Sequence, residues 1–400
     1  MDEVNILIIG GGIVGCAIAA EVSKQWQDVF VAERFPRVGM ATSTRNSGVI
    51  HSGIYYSSGS LKARHCLQGN ALTFDFCEKH NVPYRRTGKL VVAAETHEQA
   101  ALEALYQRGQ ENGVDGLRLI GPAEIREREP HIAGVAALDV PSTGIVSAEE
   151  LVRAYARVAV EQSAHIVTHA EVVSLEPASN AIRVGIRVGE DVSTQTKTSR
   201  TESSSRGIAS APAEQDETAS QETIEARCVI NAAGLYADDV AALIGNHSWK
   251  IYPVRGEYCE VRGPRRSLIN GLVYPLPHAD GLSLGMHFTK TIWDTVLIGP
   301  TARYVKEKDD YERDRLTVSD FADGARILVP EITDDDLQLA YSGLRPKLVP
   351  PDQHGMADFV IERDARVPQM IHLVGMESPG LTAAPSVAHQ VAGMVGEILA

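Results

Sequence analysis

An α/β fold of two interleaved domains is what the sequence predicts, on three observations. A short apolar strand passes through a glycine turn into an apolar helix within the first two dozen residues. Strand and helix patterns alternate along most of the remainder, and a second glycine-rich loop stands between a strand and a helix near the far end. The 400 residues exceed one typical domain and leave room for two with sizeable cores.

The first unit runs from a strand, Val4 to Ile9, through Gly10-Gly11-Gly12-Ile13-Val14-Gly15 into a helix extending to about Lys24. Each glycine has a separate duty. Gly10 serves the tight turn, Gly12 lets backbone approach a phosphate, and Gly15 lets the helix pack closely on the strand. The first N–H groups of the helix, at Ile13 and Val14, are expected to be free, and with the helix dipole they favour an anion. A second strand, Val29 to Ala32, delivers Glu33 and Arg34 to the place where an acid binds a ribose hydroxyl pair. A carboxylate there repels a 2′-phosphate, which disfavours NADP. The combination is a Rossmann-like unit; the competing reading is a glycine turn that only packs a helix on a sheet.

The loop Thr42-Ser43-Thr44-Arg45-Asn46-Ser47-Gly48 follows, rich in hydrogen-bonding side chains. Helices are then expected over Ser60 to Lys79, over Thr96 to Asn112 behind the capping box Thr96-His97-Glu98-Gln99, and from Ser147-Ala148-Glu149-Glu150 to Gln162. Strands are expected over Lys89 to Ala93 and, as a pair, over His165 to Thr168 and Glu171 to Leu175, the last carrying Val172 toward the cofactor. From about Asp191 to Thr223 apolar residues nearly vanish, a composition that cannot offset ordering entropy and reads as a disordered surface insertion. The strand Ile224 to Ile230 then ends on the small residues Ala232, Ala233 and Gly234. Near the C-terminus a strand at Ile371 to Val374 leads through Gly375, Pro379, Gly380, Leu381 and Thr382 into the last helix. Glycine loops at both ends of the chain imply a long ligand gripped twice, and FAD suits this better than NAD because a permanently buried isoalloxazine needs a second wall.

The net charge of −14 argues against nucleic acid as a partner, while local arginines still allow an anionic substrate. No apolar run approaches membrane-spanning length and no signal or transit peptide is visible, so the expected state is soluble and cytoplasmic, with the mitochondrial matrix as the alternative. Five scattered cysteines, without CxxC or zinc-like spacing, read as buried thiols in a reducing compartment; no metal is expected.

The run Asn46-Ser47-Gly48-Val49-Ile50-His51-Ser52-Gly53-Ile54-Tyr55-Tyr56, with Thr87-Gly88-Lys89-Leu90, Pro253-Val254-Arg255-Gly256-Glu257-Tyr258 and Gly285-Met286-His287-Phe288-Thr289, resembles the L-2-hydroxyglutarate dehydrogenase/oxidase family. That family belongs to the D-amino-acid-oxidase-like FAD oxidoreductases. The resemblance implies FAD as cofactor, a Rossmann-like FAD-binding domain roofed by a mixed-sheet substrate domain, and oxidation of L-2-hydroxyglutarate or a related 2-hydroxy acid to the 2-oxo acid. The FAD domain is expected over 1–84, 146–250 and 341–400, and the substrate domain over 85–145 and 251–340. Two stretches depart from the family pattern: Glu377-Ser378-Pro379-Gly380-Leu381-Thr382 and Ser342-Gly343-Leu344-Arg345-Pro346-Lys347.

Such a reaction needs a base for the hydroxyl proton and a clamp for the carboxylates. His51 and His287 are the candidate bases, because imidazole titrates near neutrality. Arg255 and Arg345, in short glycine-flanked segments, are the candidate clamps, because a guanidinium binds both carboxylate oxygens at once. Tyr55, and behind it Tyr274 and Lys347, are candidates for orienting the anion. The rival readings are an amine or amino-acid oxidase of the same fold, a flavin-dependent glycerol-3-phosphate dehydrogenase, an NAD-dependent dehydrogenase and a non-catalytic FAD-binding protein. The electron acceptor is left open among oxygen, a quinone and a carrier flavoprotein.

Overall fold

A computed structural model describes residues 2–189, 220–277 and 284–400. Its first sheet has a parallel centre, in the order Met370–Val374, Ser220–Asn231, Asp2–Ile9, Val29–Ala32 and His165–Val167. Strands buried on both faces read as unbroken apolar runs, and Ile6, Leu7, Ile8, Val29 and Val31 are all inside. The hairpin Ala170–Pro177 and Ile182–Val188 extends this sheet antiparallel to the first half of Ser220–Asn231, and on the same side Val360–Arg363 pairs antiparallel with Met370–Val374.

Helices Ile13–Val22, Ala148–Glu161 and Gly380–Leu399 share the largest core with one face of that sheet. Ile13–Val22 has every residue but Glu21 buried, which explains an apolar pattern all round rather than on one stripe. It ends two residues before the expected Lys24. Gly10 holds φ +105°, and a Cβ on Gly15 would stand 2.0 Å from the Gly10 carbonyl oxygen. The helix therefore starts closer to the strand than any side chain at position 15 allows.

The second sheet is mixed. Its order is Arg303–Tyr304, Tyr252–Val261, Val296–Gly299, His287–Lys290, Leu272–Pro275, Leu90–Ala93, Ala136–Asp139 and Arg118–Ile120, with Leu337–Lys347 also paired to Tyr252–Val261. Only Leu272–Pro275 and Leu90–Ala93 run parallel to each other. Helix Val318–Ala325 covers it over a separate core built on Phe288 and Phe321. A small sheet of Val49–Ile50, Gly144–Val146 and Tyr84–Arg86 stands beside these two. Strand Leu337–Lys347 belongs to the second sheet and crosses the 340/341 boundary expected from the sequence.

Three local expectations are corrected. The helix expected from Thr96 opens as a 3-10 turn, Thr96–Glu98, before the α-helix Gln99–Glu111; Glu95, not Thr96, caps it reciprocally with Glu98, because the carboxylate of Glu95 reaches the amide three residues on. The strands His165–Val167 and Ala170–Pro177 lie at opposite edges of their sheet, since His169 at φ +53° turns the chain between them. Residues 220–223, expected to be insertion, form the start of a strand: Thr223 pairs with Gly185 and Ser220 with Val188. The rest of the expected insertion lies outside the described residues. All five cysteines are buried thiols, and among the described residues no helix is long and apolar enough to cross a membrane.

Closing a longer loop costs only about 0.6 kcal/mol per doubling of length. Replacing residues 190–219 by a short Gly/Ser turn is therefore expected to leave the melting temperature within a few degrees of the parent. Extending the excision through residue 223 removes register pairs with Ile182–Val188 and should lower it further, as thermal unfolding would record.

Candidate functional site

A cavity lined from both sheets takes in the N-terminus of helix Ile13–Val22 on one side and the imidazoles of His51 and His287 on another. At the helix end, Gly12, Ile13 and Val14 line the wall. The Ile13 amide, expected to be free, donates to Ser43 Oγ at 2.9 Å. Asn46 ties the next loop together: its Nδ2 donates to the Ser43 carbonyl at 2.7 Å, and its Oδ1 accepts the Gly48 amide at 2.9 Å. Thr42, Ser43, Asn46 and Ser47 thereby present to the cavity, faced by Gly234 and by Pro379, Gly380 and Leu381 from the C-terminal loop.

The other expected cofactor residues stand behind this wall rather than in it. Gly10 and Gly15 shape the turn. Glu33 accepts the amides of Gly11 at 2.7 Å and Phe35 at 2.8 Å; burial pushes its carboxyl upward while these bonds oppose the shift. Arg34 lies over the Tyr236 ring at 3.7 Å. Thr382 accepts the His51 amide at 2.9 Å and so fixes the backbone of a cavity residue. Gly48 and Ala233 support loops, Gly375 packs against Leu348, and Val172 is a core residue beside Ala170 and Val184, since its side chain faces inward from the hairpin.

At the inner end His287 stacks on Tyr274, centroids 3.7 Å apart at 15°, and its Nδ1–H donates to the Gly285 carbonyl at 2.9 Å. That bond leaves Nε2 as the ring's lone-pair nitrogen. His51 Nε2 lies 3.3 Å from Ser378 Oγ, and its Nδ1 is buried without a protein partner, as is the Tyr55 hydroxyl. Burial, with the Lys89 ammonium adding to it, pushes His51 down to about 3. Burial does the same to His287, also to about 3, against the opposing Gly285 bond and with help from Lys89, His51 and Arg345. Both imidazoles are neutral near pH 7.

The anion side of the cavity is set by Arg345, from strand Leu337–Lys347. Its Nη1 donates to the Thr301 carbonyl at 3.1 Å. A Cβ on Gly256 would stand 3.0 Å from Arg345 Nη2 and 2.9 Å from Pro300 Cβ, so the glycine leaves the guanidinium its room. Arg255 does not take the role expected of it. Side chains alternate along a strand, and Gly256 and Tyr258 point into the cavity while Arg255 and Glu257 point away. Arg255 is 0% exposed, with Nε on Glu257 Oε1 at 3.1 Å, Nη1 on Asp310 Oδ1 at 3.0 Å and Nη2 on the Arg313 carbonyl.

Lys89, Glu377 and its partner Lys62, near this end, were not singled out from the sequence. Lys89 is buried, its Nζ 4.4 Å and 4.7 Å from the Tyr55 and Tyr274 ring centroids, and burial lowers it to about 7. Glu377 lines the cavity; burial would raise its carboxyl, but Lys62 and Lys347 outweigh that and hold it below the usual carboxylate value. A lysine inside an apolar strand (Lys89-Leu90-Val91-Val92) and a glutamate inside the apolar C-terminal loop were the available signals.

A long cofactor fits this wall. The glycine turn and helix N-terminus suit a pyrophosphate, and the unpartnered polar atoms of His51 and Tyr55 mark the end where a ligand's polar groups would lie. Residues 5–394 match the family model described as FAD dependent oxidoreductase. The chain belongs to this family, and its cofactor is FAD. It is 31% identical to the mitochondrial L-2-hydroxyglutarate dehydrogenase of Nematostella vectensis, over 99% of this chain and 91% of that one. It is 30% identical to the L-2-hydroxyglutarate dehydrogenase of Indibacter alkaliphilus, over 97% and 98%. Among solved structures, the FAD-bound, dithionite-reduced L-α-glycerophosphate oxidase of Mycoplasma pneumoniae superposes with a TM-score of 0.81 at 24% identity, covering 99% of this chain and 95% of that one. Glycine oxidase of Geobacillus kaustophilus gives 0.77 at 21%, with the same coverage.

Truncating one partner of a buried ion pair costs about 3–5 kcal/mol, because the other charge is left uncompensated. Arg255→Met is therefore expected to lower the unfolding midpoint in denaturant clearly. Any retained activity should show an unaltered KM, which a clamp for substrate would not allow.

Proposed function

We propose that the chain oxidises L-2-hydroxyglutarate, or a closely related 2-hydroxy acid, to the corresponding 2-oxo acid. The observation that carries this reading is the nearly full-length likeness to relatives bearing that activity in their names. The site supports it with two neutral imidazoles and an arginine in one cavity.

FAD, when bound, supplies the acceptor for the hydrogen and electron pair that leave the α-carbon. The chain's own residues do the rest. His287 Nε2, or His51, takes the hydroxyl proton as the carbonyl forms; the Gly285 carbonyl holds the His287 ring in the tautomer that can do so. Arg345 binds the α-carboxylate through the part of its fork not committed to Thr301, and so points the α-carbon. Tyr55 and Tyr274 close the inner end and exclude water. Substrate enters a cavity whose working groups are positioned before it arrives.

Anaerobic addition of L-2-hydroxyglutarate is expected to bleach the yellow protein in a single turnover. Bleaching by amino acids alone would replace this reading with an amine oxidase. Substituting the true base by Ala should slow flavin reduction about a hundredfold or more while FAD stays bound; two His→Ala variants at the parental rate would remove both histidines from the role. Arg345→Lys keeps the charge and loses the bidentate fork, so KM should rise more than kcat falls.

The pH profile follows from the lowered imidazoles. A protonated ring cannot accept a proton, and a ring lowered to about 3 stays proton-accepting well below the 6.5 of an ordinary histidine. Stopped-flow flavin reduction in the parent should hold its rate from pH 8 to pH 5. A fall centred near 6.5 would show that the working base is not a buried, cation-flanked histidine.

A further inference from the structure

The cavity wall carries more positive charge than one carboxylate requires. Lys62 Nζ meets Glu377 Oε1 at 2.8 Å, and Lys347 Nζ stands 3.5 Å from Oε2. Both lysines are buried, and Arg345 acts on Glu377 as well. Three cations thus meet a single carboxylate, inside a chain whose overall balance is −14. Buried charge is costly unless matched. The surplus of two is the charge of a diacid.

The spacing matches too. Arg345 and Lys347 are two residues apart on one strand, so their side chains leave the same face and both line the cavity. Their backbone origins are about 6–7 Å apart. The two carboxyl carbons of an extended five-carbon diacid are about 5 Å apart. Lys62 holds one oxygen of Glu377 at 2.8 Å, whereas Lys347 has only its longer contact, 3.5 Å, with the other among the described residues. Arg255, the other residue suited by type, faces away.

We propose that Lys347 is the second anion anchor, holding the distal carboxylate of a 2-hydroxy diacid whose α-carboxylate lies on Arg345, and that it sets the preference for diacids over monoacids. This rests on the oxidation reading above. Lys62 is a positioning residue: by taking Oε1 of Glu377 at 2.8 Å it leaves Lys347 only the longer contact with Oε2.

The test uses the FAD-loaded protein and two non-reacting probes, glutarate and pentanoate, with binding followed by the flavin absorbance spectrum. In the parent, glutarate should bind at least tenfold more tightly. A hydrogen bond to a charged group is worth about 1.5–3 kcal/mol, roughly a ten- to hundredfold change in affinity. Lys347→Met should therefore weaken glutarate by about that factor and pentanoate by less than about twofold, and Lys347→Arg should recover most of the loss. Equal weakening of both probes, or no preference in the parent, overturns the assignment; the parental comparison does so without any variant having to fold. A parent that prefers glutarate yet is bleached by no 2-hydroxy acid would sink the oxidation reading while leaving the anchor in place.

Discussion

The cavity depends on one contact between the two sheets. Strand Leu337–Lys347 lies against the loop Thr42–Asn46 so closely that a Cβ on Gly343 would come within 2.0 Å of the Arg45 carbonyl oxygen. Three hydrogen bonds fix that approach: Thr42 Oγ1 to the Leu344 carbonyl at 2.9 Å, the Tyr341 hydroxyl to the Asn46 carbonyl at 2.8 Å, and Arg45 Nη1 to the Ser342 carbonyl at 3.4 Å. Because side chains alternate along a strand, holding Gly343 against the loop decides every neighbour. Arg345 and Lys347 share its face and line the cavity. Through the pairing of Gly256 with Gly343, the same choice passes to strand Tyr252–Val261. Gly256 and Tyr258 enter the cavity wall, and Arg255 and Glu257 are sent to the opposite face.

Two arginines one strand apart, Arg255 buried and Arg345 half-buried, therefore have opposite fates. Arg255 is saturated by carboxylates and carbonyls, and such a network stabilises chiefly by being complete, since any missing partner leaves a buried charge unpaired. Arg345 keeps one backbone carbonyl and has part of its fork to spare. An incompletely satisfied cation beside a cavity is what distinguishes a binding group from a structural one, and residue type alone does not carry that distinction.

That difference explains how much could be read beforehand. The glycine turn, the strand Val29–Ala32 and the small-residue loops were legible because each rests on local geometry that only certain residues permit, as the approach of Gly15 to Gly10 shows. His51, Tyr55, His287 and Arg345 were legible as residues that chemistry would want in glycine-flanked segments. The facing of Arg255 was not legible: its strand is buried on both faces, so alternation leaves no polar-apolar signal to tell inside from outside. Glu377, Lys62 and Lys89 were passed over for a related reason. Their partners lie hundreds of residues away in sequence, or are aromatic faces, and no local pattern announces either. The cap at Glu95 rather than Thr96 is a smaller case, decided by which side chain reaches the orphan amide.

The electrostatics of the two ends of the reaction zone are coupled. The cations that suit this cavity to an anion also help keep its imidazoles unprotonated, Lys89 acting on both rings and Arg345 on His287. A base lowered to about 3 is available at neutral pH but intrinsically weak, because proton affinity falls with pKa. An anion placed on Arg345 and Lys347 offsets part of that positive field, and a nearby negative charge favours the protonated ring, so the imidazole pKa rises from its lowered value without reaching that of an ordinary histidine. On the proposed reading, the substrate's own charge then strengthens the base that deprotonates it. With the cavity empty of anion, the same groups hold the histidines neutral and idle, so the buried positive surplus that makes the folded protein costly to assemble also ties proton acceptance to the presence of a carboxylate.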